Sequence, residues 1–130
     1  MSDVEALASI VVDCGFHLHK DVGPGLFESV YEIVFAERLT KRGLLVERQK
    51  PIAFNIDGID FVDGFRADLL IERTLIIELK SIEALAPIHT KQLLTYLRLM
   101  KLPLGLLNNF GAATFRDGIK RVSNHHNEGI

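Results

Sequence analysis

The sequence predicts a mixed α/β fold, a four- to five-stranded β-sheet flanked by helices. Three observations carry that expectation. Two helix-periodic stretches open the chain, a meander of strand-like runs follows, and a third helical stretch separates the meander from late strands. The predicted order is ααββ(β)αββ. A chain of 130 residues suits one domain spanning 1–130, with its core at about 22–122 and a polar, frayed tail at 123–130.

The first helix is expected over residues 3–20. Ala6, Ile10, Cys14 (or Val11), His17 and Leu18 recur at helical spacing, and Ser2 or Asp3 caps the start. Gly23-Pro24-Gly25 breaks the chain. A second helix runs from about 26 to 42, with Val30, Ile33, Val34 and Leu39 as its apolar stripe and Gly43 as its stop. Residues 44–56 read as a strand or bent pair. Asp57-Gly58, between Ile56 and Ile59, signals a hairpin turn, and 59–71 and 75–80 complete the meander. Pro87 opens a third helix, roughly 88–101, with Leu93, Leu94, Leu97 and Met100 facing the core. Residues 104–108 read as a short buried strand. Residues 113–116 and 119–122, around Asp117-Gly118, read as a final hairpin.

Bulk composition narrows the function. A net charge of −2 with a pI near 6.2 excludes a protein that coats nucleic acid non-specifically, so any such contact rests on local basic patches. A single cysteine, Cys14, excludes an internal disulfide and a thiol zinc cluster. The N-terminus has no basic segment before its apolar run and does not read as a signal peptide, and no apolar run reaches the length of a membrane span. A reducing, cytoplasmic setting fits.

The chemistry concentrates in DLLIERTLIIELK, residues 68–80. With Glu72-Arg73-Thr74 as a three-residue loop, Ile71 faces Leu75, and counting outward sets Asp68 opposite Glu78. Alternation puts Asp68, Leu70, Ile76, Glu78 and Lys80 on one face and leaves the other wholly aliphatic. Directly opposed residues have Cβ atoms ~5 Å apart, so the two carboxylates repel unless something positive joins them. A hard divalent cation with oxygen ligands does that, with the backbone carbonyl of Leu79 as a further donor and Lys80 alongside. The plainer reading is an exposed strand face with a Glu/Lys pair.

Two further constellations accompany it. Glu28 falls in the first turn of the second helix, with Tyr31 and Glu32 at i+3 and i+4. It is either an extra carboxylate for the metal or an acid that favours the helix dipole, with Tyr31 packed and its hydroxyl satisfied. Gln92 and Tyr96, one turn apart, either border the carboxylate pocket or lie on a solvated helix face. His89 reads as a surface histidine, Cys14 as core, and His125-His126 as a poor metal site. Basic residues gather loosely, as Lys41, Arg42, Arg48 and Lys50, as Lys91, Arg98 and Lys101, and as Arg116, Lys120 and Arg121.

Taken together, Gly64-x-x-x-Asp68, Glu78-x-Lys80 and Gln92-x-x-x-Tyr96 resemble the exonuclease (RecB-like) variant of the PD-(D/E)XK nuclease superfamily. Gly25-x-x-Glu28-x-x-Tyr31 resembles the small GxxExxY proteins of that superfamily, and LGLLNNFG at 104–111 looks like their late strand. Ala67 stands where the superfamily's namesake proline precedes the aspartate. The resemblance covers roughly residues 22–122. It implies a restriction-endonuclease-like core and a Mg²⁺- or Mn²⁺-dependent phosphodiester hydrolase. It implies metal at Asp68 and Glu78, with Lys80 at the nucleophile, Glu28 assisting, and Gln92 and Tyr96 completing the catalytic set.

The leading expectation is therefore a metal-dependent nuclease acting on nucleic acid, DNA ahead of RNA. The alternatives are a non-catalytic protein- or nucleic-acid-binding module on a nuclease scaffold, and a small-nucleotide phosphodiesterase. A chain this small offers a short footprint on a duplex, which predicts a homodimer or a larger partner protein.

Overall fold

Asp57 and Gly58 both adopt positive φ (54° and 82°), the conformation a two-residue hairpin turn demands, and the chain folds back on itself there. The computed structural model describes residues 3–124; His125-His126 and most of the expected tail lie outside the described residues. Nine elements follow in order: α1 (Asp3–Val22), α2 (Glu28–Lys41), β1 (Val46–Ile56), β2 (Ile59–Ile71), β3 (Leu75–Lys80), α3 (Pro87–Met100), β4 (Leu104–Asn109), α4 (Phe115–Gly118) and β5 (Ile119–Ser123). The sheet has five strands in the order β1-β2-β3-β4-β5. All neighbours pair antiparallel except β3 and β4, which run parallel with α3 as their crossover. This is the mixed α/β sheet that the sequence predicts.

Helices α1 and α2 cover one face of the sheet and α3 the other. On the first face Leu69, Ile71, Leu75, Ile77 and Leu79 pack with Val11, Leu18, Phe35 and Leu39. On the second, Leu70, Ile76 and Leu107 pack with Leu93 and Leu97. The strict alternation of β3 explains both assignments. The central strands β3 and β4 are covered on both sides, which makes Glu78 a buried acid.

Several expectations need correction. The apolar stripe of α1 is Val4, Leu7, Ala8, Val11, Cys14 and Leu18, whereas Ala6, Ile10 and His17 face outward. In α2 the buried residues are Tyr31, Glu32, Phe35, Ala36 and Leu39, and Val30 and Ile33 are exposed. Aliphatic residues on both faces of these helices left the phase open, and contact with the sheet sets it. The final hairpin does not form. Residues 115–118 make one helical turn capped by the Thr114 hydroxyl, which accepts from the Asp117 N–H, and β5 pairs with β4 instead. Ser123, assigned to the tail, ends β5, and the Asn124 side chain bonds the Leu102 carbonyl.

Two anchors bring loops to the end of β3. The Tyr31 hydroxyl donates to the Gly23 carbonyl (2.6 Å) and accepts from the Leu26 N–H (3.2 Å), and its ring stacks on Phe110. Gly23 and Gly25, both at positive φ, let the chain turn tightly enough for one side chain to hold it. On the other side, the Asn109 amide brackets Ile82, accepting from its N–H and donating to its carbonyl, both at 3.0 Å. The Ser81 hydroxyl then donates to the Leu26 carbonyl (2.6 Å), joining the two loops. Gly111 permits this closure, because a Cβ there would lie 2.2 Å from the Ile82 carbonyl oxygen. Gly111→Ala is expected to destabilise the fold by about 2–3 kcal/mol, since backbone rather than a flexible side chain must yield. A urea titration reads this as a lower midpoint with unchanged slope.

Candidate active site where two strands part

Strands β2 and β3 pair at Ile71–Leu75, Leu70–Ile76 and Leu69–Ile77, the register counted from the sequence. At the next step the backbone ladder stops and the two acids take its place. The Asp68 N–H donates to Glu78 Oε2 (3.0 Å), and the Leu79 N–H donates to Asp68 Oδ2 (2.8 Å). Each carboxylate thus satisfies the backbone of the opposite strand, and a backbone N–H is an obligatory donor that burial would otherwise penalise. Ala67 and Leu70 both pack against the α3-side cluster, which unbroken alternation forbids, so β2 changes phase at Asp68.

The electrostatics match this crowding. Glu78, 7% exposed, has its pKa pushed up to about 8, by burial first and the Asp68 charge second. Burial likewise raises Asp68, with the Glu32 charge adding to it, while the Leu79 N–H, the Gln49 amide and Lys80 pull the other way. Burial raises Glu28 too, with Asp68 contributing and Lys80 opposing. Tyr96 is raised by burial and then by the Glu78 and Asp68 charges, and a hydrogen bond with Gln92 works against that. Four acids, Lys80 and Tyr96 therefore share one field.

The structure brings together Asp68, Glu78, Lys80, Glu28 and Tyr96. Gln92 reaches the group through Tyr96 and is itself exposed, and Tyr96 stacks on Phe65 with ring centroids 3.8 Å apart. Tyr31 stays structural, and His89 caps α3, its Nδ1 accepting from the Ala86 N–H (2.9 Å). Among the described residues no three His, Cys, Asp or Glu side chains form a ready-made metal cage. The donor set still fits a small hard cation. Asp68 and Glu78 supply two carboxylates whose charges repel, and Mg²⁺ is commonly held by one or two carboxylates plus water and substrate phosphate.

Two residues of the neighbourhood had no role assigned from the sequence. Glu32 is 5% exposed, with Arg48 on its Oε2 (3.1 Å) and the Gln49 amide on its Oε1 (2.7 Å). The same Gln49 amide donates to Asp68 Oδ1 (3.2 Å). Glu32, one turn after Glu28, was visible as a helix neighbour. Gln49 was not. Counting back from the Asp57-Gly58 turn sets Gln49 opposite Arg66, but the register slips by two between Ile52 and Phe54. Ile52 pairs with Phe65 and Phe54 with Phe61, so β2 bulges at 62–64 and Gln49 arrives opposite Asp68. Gly64 inside a strand pattern was the available signal; the Phe54 ring occupies the space its Cβ would take.

A pH dependence follows from Glu78. Its folded pKa lies above the ordinary 4.5, so the folded protein binds this proton more tightly than the unfolded chain does. The associated stability is present below about 4.5 and is lost as pH rises through about 8. In metal-free buffer the melting temperature is expected to fall across that window. Glu78→Gln, which keeps the shape without the charge, is expected to flatten the slope. An equal slope in the variant would place the effect elsewhere.

No helix among the described residues is long and apolar enough to cross a membrane. Neither the curated proteins nor the solved structures yield a match. A family model described as the PD-(D/E)XK nuclease superfamily matches residues 5–122, which takes in every element from α1 to β5 that builds the site. On that match, and with the five-stranded mixed sheet it accompanies, the chain belongs to the PD-(D/E)XK nuclease superfamily.

Proposed function

We propose that this protein is a Mg²⁺- or Mn²⁺-dependent nuclease that hydrolyses phosphodiester bonds in nucleic acid, and that within its superfamily it is one of the GxxExxY proteins. The observation that carries the reading is the parting of β2 and β3. It leaves two carboxylates side by side where a ladder of backbone hydrogen bonds would otherwise continue, with Lys80 in their field. Mutual repulsion of this kind lowers stability and persists at functional sites because something useful is done with it.

Asp68 and Glu78 are the proposed metal ligands. An extended residue points its N–H and C=O to the same strand edge, and the Leu79 N–H faces Asp68. The Leu79 carbonyl therefore opens on the same side and is the third proposed donor. The cation supplies charge to neutralise the phosphate and makes water acidic enough to attack. Lys80, next along the strand, holds a point positive charge at the attacked phosphate or at the nucleophile. Glu28, brought in by the Leu26–Ser81 bond, lies in the field of Asp68 and Lys80 from the first turn of α2 and would assist in holding the metal. Tyr96, backed by Phe65 and bonded by Gln92, borders the site from α3 and offers its hydroxyl to a phosphate oxygen. Lys91, Arg98 and Lys101, also of α3 and its C-cap, make no ion pair among the described residues, which leaves them available to a polyanion.

Cleavage of single- and double-stranded DNA and of RNA is expected to require Mg²⁺ or Mn²⁺ and to stop with EDTA. Lys80→Ala is expected to lower the rate by about 10²–10⁴-fold, the size of loss seen when a group that stabilises transition-state charge is removed. Its fold is expected to survive, because Lys80 is half-buried and makes no ion pair among the described residues. The same oligonucleotides bound without cleavage, in either metal, would instead identify a binding module on a nuclease scaffold.

A further inference from the structure

Gln49 has a demanding geometry. Its φ is +50°, a left-handed conformation that L side chains with a Cβ disfavour. It lies on the solvent side of β1, between the pairs Arg48–Leu69 and Lys50–Ala67. From there its amide nitrogen, which carries two N–H groups, donates one to Glu32 Oε1 (2.7 Å) and one to Asp68 Oδ1 (3.2 Å). Glu32 is an unyielding anchor. It is 5% exposed, and its other oxygen is held by the Arg48 guanidinium through Nε (3.2 Å) and Nη2 (3.1 Å).

Asp68 is then tied at both oxygens, Oδ2 by the Leu79 N–H and Oδ1 by Gln49. Each carboxylate oxygen has room for about two partners, so one donor on each leaves a lone pair open and fixes where it points. Without Gln49, Asp68 would face the Glu32 carboxylate with no donor between them. We infer that Gln49, anchored by buried Glu32, is a positioning residue that sets the orientation of the Asp68 carboxylate toward a divalent cation. This rests on the metal-dependent reading proposed above. Partners that orient a metal's ligands set affinity without touching the ion.

The test uses the whole protein and Mn²⁺ alone, with no nucleic acid, so activity plays no part. Gln49→Gly removes the amide and relaxes the backbone, because glycine accepts positive φ freely. Its melting temperature is expected to stay close to that of the wild type, because relief of the positive φ offsets the two lost hydrogen bonds. Its Mn²⁺ dissociation constant, measured by calorimetry or by loss of the free-ion electron paramagnetic resonance signal, is expected to rise by about 10- to 100-fold. Gln49→Leu, which removes the donors but keeps the strained backbone, is expected to weaken Mn²⁺ binding equally while melting lower. A merely structural Gln49 would move stability and leave affinity alone. Wild-type affinity within about twofold in Gln49→Gly would overturn the positioning role and leave the metal reading standing. A wild type that binds no Mn²⁺, under conditions where Asp68→Asn behaves the same, would overturn both.

Discussion

The rest of the site depends on how β2 and β3 stop being a ladder. Three residue pairs zip the strands together from the loop at 72–74, and aliphatic side chains on both faces hold them. At Asp68 and Glu78 the backbones part, and the N–H groups left without ladder partners find acceptors in a part-buried setting. The two carboxylates meet that need reciprocally. A neutral acceptor such as asparagine would satisfy the same N–H groups and would bring no charge with it. The structure therefore uses acids for a task that does not require them, and carries the cost of burying them together. That excess is what a cation would relieve, and it separates this hairpin from an ordinary charged strand face.

Charge elsewhere on the molecule is largely spent. Arg38, Arg42, Arg48, Arg66, Arg73 and Arg121 all lie within ion-pair distance of acids. Exposed pairs of this kind add little to stability, but they do cancel the local field that a polyanion would feel. A chain of net charge −2 with six of its eight guanidiniums so committed has little long-range attraction for nucleic acid. Near the site, attraction would come from Lys80 and the cations of α3, and a bound metal would turn an acidic pocket into an electrophilic one.

How much of this the sequence disclosed depended on the distance over which register had to be counted. The β2–β3 hairpin has a three-residue loop and a regular register as far as Leu69–Ile77, so counting six residues was enough to bring Asp68 and Glu78 to neighbouring places on the two strands. The β1–β2 hairpin starts from an equally clear turn, but its bulge at 62–64 shifts every later pair by two, and Gln49 was lost with it. The phases of α1 and α2 failed for a related reason, while that of α3 held. Val30 and Ile33 are as apolar as Phe35 and Ala36, and periodicity cannot choose between two apolar faces when both exist. Tyr31 was read correctly in its plainer form, because an aromatic with a hydroxyl beside two glycines has few better partners than the loop they make.

The bulge that hid Gln49 also explains why the site can contain it. In an unbroken hairpin the strand partner of Gln49 would be Arg66, and its amide would have had a cation rather than a carboxylate opposite. Inserting two residues into β2 brings Asp68 level with Gln49, and beyond the bulge, at that pair, Gln49 takes a positive φ and β2 changes phase. Sheet irregularities of this kind re-aim side chains, and they occur beside active sites for that reason. Gly64, inside the bulge, lets the Phe54 ring close over it, and Phe54 in turn packs on Phe65, which backs Tyr96. One local insertion thus sets the neighbours of both sides of the pocket, the Gln49 amide on Asp68 and the aromatic wall behind Tyr96. The parts of the site that periodic patterns could not reveal lie where the β1–β2 pairing is irregular, at the 62–64 bulge and at Gln49 and Asp68 beyond it.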